Sequence, residues 1–209
     1  MDHARIASLL ELFAPGLSAP QLAQLSAYLD LLLRWNARIN LTAVRDAENI
    51  VTRHFGESLF AARRLFPAPD ASGDVIDLGS GAGFPGLPLK IHAPALRLAL
   101  IESRNKKAAF LNEVVRALDL RDVQVFCGRA EDFPGRAGLV SLRAVERFTA
   151  ALPVAARLVA PGGRLALLIG TAQIASAQAA LPGFSWSQPV DLPGSSQRVL
   201  FVGTSQDCQ

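Results

Sequence analysis

The apolar residues of this chain change their period near residue 70. Up to about residue 66 they recur at helical spacing, with Leu22, Leu25, Leu29, Leu32 and Leu33 on one face behind Ser18 as N-cap and Pro20 in the first turn. A further helix is expected from about Ala47 to Leu65, and the Pro-, Ser- and Gly-containing stretch from Pro67 to Asp74 reads as a boundary. Beyond it, short apolar runs at 74–78, 97–101, 122–127, 138–142 and 164–169 alternate with helical segments. That alternation predicts an α/β fold, a doubly wound parallel sheet of βαβ units. Right-handed crossovers then put the carboxyl ends of the strands on one edge, where such sheets bind ligands. Pro161-Gly162-Gly163-Arg164 is expected to turn the chain into the fifth strand, and 184–189 with 197–203 to close the sheet as a hairpin. The expected organisation is a helical N-terminal extension, 1–66, followed by the sheet domain, 67–209.

Composition adds a setting. The 209 residues are 50% hydrophobic and 19% charged, enough to bury a core, and no apolar run reaches the roughly 18 residues of a membrane span. The N-terminus, with Asp2 and Glu11, has no secretory pattern. Cys127, expected in a buried strand, and Cys208, in a polar tail, have neither disulfide nor metal-site spacing, so a soluble, cytoplasmic protein without a metal is expected. A net charge of +3 permits an acidic partner without requiring one.

The most informative local sequence is Asp77-Leu78-Gly79-Ser80-Gly81-Ala82-Gly83-Phe84-Pro85-Gly86, which follows the first strand and opens a helix. Glycines there allow positive φ and close ligand approach, and the free N–H groups of the helix start favour an anion. The run satisfies both G-x-G-x-x-G, a dinucleotide fingerprint, and D-x-G-x-G-x-G, common in S-adenosylmethionine (SAM) enzymes, so the pattern alone admits either cofactor.

Strand ends carry the remaining candidates. Glu102 ends the second strand about 20 residues beyond the glycine turn, the place of an acid that accepts from both ribose hydroxyls. Ala130-Glu131-Asp132 follows the third strand, where a polar residue and backbone amides would surround an adenine and Phe133 would cover its edge; a helix-terminal acid pair explains the triplet equally well. Arg143 ends the fourth strand and could meet a cofactor carboxylate, phosphate or base acceptor, or pair with an acid such as Glu146. Arg104, Lys106 and Lys107 crowd a helix N-terminus against its macrodipole, which an anionic partner would relieve, although clusters of this kind are commonly solvated faces. Asn40 and Thr42 have the chemistry of caps, and His54 lies among apolar residues as a structural histidine does. No Asn-Pro-Pro-aromatic element and no cysteine ends the fourth strand, which disfavours methylation of an exocyclic amine or covalent attack on a pyrimidine. A ring nitrogen with a free lone pair remains a sensible acceptor.

Taken together, Leu33 through Asp46, His54-Phe55-Gly56-Glu57-Ser58, the glycine turn 77–86, Ser103 through Leu111, Arg129-Ala130-Glu131 and Arg143-Ala144 resemble the ribosomal RNA small subunit methyltransferase G family (RsmG, also called GidB), over roughly residues 20 to 170. The resemblance implies a Rossmann-like class I SAM-dependent methyltransferase that modifies N7 of a guanine in 16S ribosomal RNA. It implies SAM-binding or active-site positions at Gly79, Phe84, Ala130, Glu131 and Arg143; the glycine turn and the strand-end acid add Asp77, Gly81, Gly83 and Glu102 to the expected cofactor site. Asn40 and Arg143 would be catalytic-site residues, and Arg104, Lys106 and Lys107 would meet the 16S rRNA or small ribosomal subunit. A monomer is expected. Guanine N7 is unprotonated at neutral pH, so alignment and electrostatics would supply most of the rate and no strong base is needed. Arg143 would then sit beside phosphate, O6 or the cofactor carboxylate. The alternatives are methylation of another RNA, an NAD-dependent oxidoreductase, or a catalytically idle RNA-binding homologue. The chain departs from the family twice: Gly56-Glu57 stand where Leu-Asp is common, and Ile169 stands where lysine is common.

Overall fold

The computed structural model describes residues 1–68, 70–145 and 147–206; Glu146 and Cys208 lie outside the described residues. The N-terminal part is helical: α1 (His3–Leu10), α2 (Ala19–Asn36), α3 (Ala47–Ile50) and α4 (Glu57–Leu65). Ser18 caps α2 as expected, in a reciprocal box with Gln21, whose side chain accepts from the Ser18 N–H at 3.0 Å. The helix expected over 47–65 is interrupted, because Val51–Gly56 forms a wider π-helical turn between α3 and α4. Such turns commonly accompany functional sites.

Five parallel strands follow: β1 (Gly73–Leu78), β2 (Leu96–Glu102), β3 (Val123–Cys127), β4 (Ala137–Arg143) and β5 (Val159–Gly170). Between and after them run α5 (Gly86–His92), α6 (Asn105–Ala117), α7 (Phe148–Leu158) and α8 (Ile174–Ala180). β6 (Phe184–Trp186) and β7 (Val190–Asp191) both pair antiparallel with β8 (Arg198–Ser205), which lies against β5. The order is β3-β2-β1-β4-β5-β8-β6. The chain therefore runs outward from β1 to β3 and returns to β4, leaving a crevice between the carboxyl ends of β1 and β4.

Two expectations shift. The Pro161–Gly163 turn lies inside a longer β5, where the register to β4 jumps between Ala137 and Leu139, so it is an irregularity within the strand. Cys127 is exposed, because β3 is the sheet edge and only a single short turn, Ala130–Asp132, lies between it and β4.

One core joins the helical extension to one sheet face: Leu25, Tyr28, Leu29 and Phe55 bury with Val75, Leu100, Phe110 and Val114. Polar ties hold the same junction. Trp35 Nε1 donates to Glu113 at 2.9 Å, and Gln24 donates to the Leu118 carbonyl at 3.1 Å. The opposite face packs Ile76, Val140, Leu142 and Leu167 against Leu152 and Ala177 of α7 and α8.

Candidate functional site

The turn after β1 is shaped from below. Gly79 and Ser80 N–H groups both donate to the Ile101 carbonyl, at 2.9 and 3.0 Å, which folds the chain over the end of β2. Asp77 is wholly buried; its carboxylate accepts from Ser141 Oγ at 2.7 Å and from the Gly86 N–H at 3.3 Å, so it braces the turn and the start of α5. Burial raises its pKa to about 6, against the opposing effect of those hydrogen bonds. From the extension, Tyr28 Oη donates to the Ala82 carbonyl, and its ring stacks on Phe84 at 5.4 Å. Gly83 has φ +90°, and a Cβ there would collide with Tyr28 Oη and Leu87.

Above the turn lies a cavity of about 340 Å³ lined by Gly79, Ser80, Gly81, Ala82, Phe84, Arg143 and Ala144, with Lys107, His54 and the segment Leu41–Val44 on the other side. Gly81 has φ +56°, and the nearest atom to a Cβ built on it is 3.7 Å away, so the backbone conformation demands glycine while leaving open space. Ala144 also takes a positive φ, of 50°, directly after Arg143, a local strain of the kind that collects at ligand sites. Glu102 is buried beside the turn, one carboxylate oxygen 3.0 Å from the Gly81 N–H and the other 2.8 Å from the Arg104 N–H. Each oxygen retains acceptor capacity for a further donor. Glu102 itself is not among the residues that line the 340 Å³ cavity.

Arg143 is the hub of the crevice. Its Nη2 shares its two hydrogens among three neighbours, the Arg53 carbonyl at 2.7 Å, Glu57 at 3.0 Å and His54 Nδ1 at 3.1 Å, while the guanidinium lies 5.9 Å from the Phe84 ring centre. Glu57 is buried and bridges two cations, because its other oxygen meets Arg198 at 2.6 Å. Burial pushes the Glu57 carboxyl up, and the two guanidinium groups act against it. His54 Nε2 is 2.7 Å from Thr42 Oγ1, and the loop behind it is held by Asn36, whose Oδ1 accepts from the Leu41 and Thr42 N–H groups at 3.0 and 3.1 Å.

This network accounts for the unusual residues of the sequence. Gly56 leaves room for Phe13, whose ring a Cβ would meet at 2.8 Å. Glu57 is long enough to reach both Arg143 and Arg198. Ile169 is buried in the second core, and a cation at this end of the sheet comes from Arg198, paired across from Gly170.

The remaining candidates separate. Asn40 lines a second cavity of about 520 Å³ with Ile39, Ser103, Arg104, Asn105, Lys106 and Lys107; Lys107 lines both cavities. Asn40 Oδ1 accepts from Arg45 at 2.7 Å. Ala130 and Glu131 lie beyond β3, their carbonyls held by Arg157 at 2.9 and 2.8 Å, with the Glu131 side chain exposed against Arg129. Neither lines the 340 Å³ cavity. Phe133 packs edge-on to Phe126 and lines a separate cleft at the amino ends of β1, β2 and β3. Among the described residues no cluster of three His, Cys, Asp or Glu could hold a metal, and no helix is long and apolar enough to cross a membrane. Sequence reasoning missed Tyr28, His54, Glu57 and Arg198 as parts of the site. The only local signal was the His54-Phe55-Gly56-Glu57-Ser58 departure.

Comparison with known proteins is consistent across the chain. The sequence model for "rRNA small subunit methyltransferase G" matches residues 21–188. A protein of Chloroflexus aggregans named ribosomal RNA small subunit methyltransferase G is 41% identical over 201 residues, 90% of this chain and 83% of its own length. One of the same name from Stenotrophomonas maltophilia is 42% identical, covering 80% of this chain and 78% of its own. Among solved structures, magnesium protoporphyrin IX methyltransferase from Synechocystis with bound SAM superposes with a TM-score of 0.66 at 15% identity, covering 91% of this chain and 99% of that one. Ribosomal protein L11 methylase of Lactobacillus delbrueckii gives 0.61 at 14%, covering 74% and 79%. These structural likenesses establish the class I methyltransferase fold.

Proposed function

The chain belongs to the rRNA small subunit methyltransferase G family, and we propose that it transfers a methyl group from SAM to N7 of a guanine in 16S ribosomal RNA, as a cytoplasmic monomer. The observation that carries the reading is the cavity between the ends of β1 and β4, floored by the glycine turn, walled by Leu41–Val44 and adjoined through Lys107 by the basic cavity at the start of α6.

SAM would be held by Gly79, Gly81 and Phe84, with Glu102 at its ribose and Ala130 and Glu131 toward its base; bound there it supplies the electrophilic methyl. Asp77 and Gly83 shape the turn from beneath. The chain's own task is placement. N7 carries its lone pair at neutral pH, so no side chain must remove a proton before attack, and the rate comes from alignment and electrostatics. Arg143, tied to Glu57 and His54, fixes the end of β4 against the extension and lines the cavity. Lys106, Lys107 and Arg104, with Asn40, form the RNA-facing shelf, where phosphate contacts position the substrate without reading its sequence.

The test is direct. Purified protein incubated with labelled SAM and unmethylated small-subunit RNA, free or assembled, should yield one labelled 7-methylguanosine on nuclease digestion. Label in another nucleoside, or none with SAM shown to bind, would refute the assignment.

A further inference from the structure

Thr42 stands where the helical extension faces the glycine turn, and its hydroxyl is committed in an informative way. Arg143 Nη2 has only hydrogens to give and shares its two among the Arg53 carbonyl, Glu57 and His54 Nδ1, so what faces this cation at 3.1 Å is the lone pair of His54 Nδ1 and not an N–H. Burial, then the charges of Arg143 and Arg53, lower the His54 pKa to about 3, so the ring is neutral and its one N–H is on Nε2. That N–H donates to Thr42 Oγ1 at 2.7 Å, and the Val44 N–H donates to the same oxygen at 3.1 Å. A hydroxyl oxygen has two lone pairs, and both are occupied. One O–H hydrogen remains, with no acceptor among the described residues, on a side chain that lines the cavity opposite the glycine turn.

We infer that Thr42 is a specificity-determining residue, donating its hydroxyl hydrogen to O6 of the acceptor guanine while N7 is left free to take the methyl group. The inference rests on the guanine-N7 reading above. Guanine presents N7 and O6 as neighbouring acceptors, whereas adenine sets an amino donor beside N7. An ordinary hydroxyl rotates to suit either partner. Thr42, with its lone pairs filled by His54 and Val44, can only donate, so it rewards guanine and opposes adenine. Glu57 and Arg143 enter as positioning residues, because they hold His54 in the tautomer on which this depends. An acceptor on the RNA backbone or on the cofactor would leave base discrimination untouched, and the experiment reads that difference.

The experiment compares small-subunit RNA carrying guanine or 2-aminopurine at the methylated position; 2-aminopurine keeps N7 and replaces O6 by hydrogen. Wild type, Thr42→Ser, Thr42→Val and Thr42→Ala are assayed by single-turnover transfer and by equilibrium RNA affinity. Intrinsic differences between the bases are common to all four proteins, so the readout is the guanine to 2-aminopurine ratio. Wild type and Thr42→Ser should share a ratio about 10- to 100-fold larger than that of Thr42→Val and Thr42→Ala, the worth of one buried donor left unpaired. Thr42→Ala decides if Thr42→Val does not fold. An unchanged ratio, with both substrates slowed alike, overturns the proposal and makes Thr42 a packing residue. Failure of wild type to methylate guanine at all is a distinct result, which removes the reading on which the proposal rests.

Discussion

Removing one oxygen atom from α2 should loosen the glycine turn 54 residues away. Tyr28 is fully buried, its ring stacked on Phe84 and edge-on to Phe55, and its hydroxyl donates to the Ala82 carbonyl. Tyr28→Phe keeps the ring contacts and deletes the donor, leaving a buried carbonyl unpaired at a cost of about 1–3 kcal/mol. With a urea m-value of roughly 3 kcal/mol/M for a chain of this size, the unfolding midpoint should fall by about 0.3–1 M. Because Ala82 also lines the cavity, calorimetry should show weaker SAM binding in the same variant. A second arm uses Gly83→Ala, whose Cβ would collide with the Tyr28 hydroxyl and Leu87 and whose φ is +90°. In the Tyr28→Phe background one collision is gone, so the double variant should be more stable than the sum of the single losses. An unchanged midpoint for Tyr28→Phe, or strict additivity with Gly83→Ala, would refute the brace.

Other consequences can be measured separately. Glu102→Ala removes the acceptor of the Gly81 and Arg104 N–H groups and should weaken SAM by about 1–3 kcal/mol in calorimetry; equal affinity would take Glu102 out of the site. The pH dependence of stability should contain two opposed slopes. His54 stays neutral in the folded protein down to about pH 3, so the unfolded chain binds that proton more tightly and stability falls as pH drops from about 6.5 toward 3. Asp77 keeps its proton up to about pH 6, so stability falls as pH rises from about 4 to 6. Asp77→Asn should therefore steepen acid destabilisation between pH 6 and 4 in denaturant titrations, and a curve parallel to wild type would contradict this. Replacing Lys107 by Ala should lower the slope of log affinity for RNA against log salt by about one unit, and an unchanged slope would return it to a solvated surface. Glu57→Gln leaves Arg143 and Arg198 facing each other without an anion and should cost about 3–5 kcal/mol of stability, read as a lowered midpoint with an unchanged m-value.

Much of the frame was legible because its signals are short-range. Apolar period separated the helical extension from the βαβ units, since burying one face of a helix or both faces of a parallel strand leaves its mark within a few residues. The sequence put the glycine turn, Glu102 and Arg143 at the carboxyl ends of strands, where the structure has them, and right-handed crossovers carry all such ends to one edge. The family motifs then separated SAM from a dinucleotide, which the glycines alone left open.

What only the tertiary structure decided are the partnerships between residues far apart in the chain. Cys127 is exposed because β3 is an edge strand, a matter of strand order that no run of residues around it records. Asp77 looked like a cofactor ligand and is enclosed beneath the turn by Ser141, which β4 supplies from 64 residues away. Glu57 was a departure from a motif until it met Arg143, 86 residues on, and Arg198 on the antiparallel strand. The protonated nitrogen of His54, and with it the chemistry open to Thr42, depends on Arg143, 89 residues distant. Local sequence encodes which elements form because backbone propensity and burial act over one or two turns. Hydrogen-bond valence in a crevice depends on which side chains several elements bring within 3 Å, and that is settled only when the sheet and the extension close on a common core.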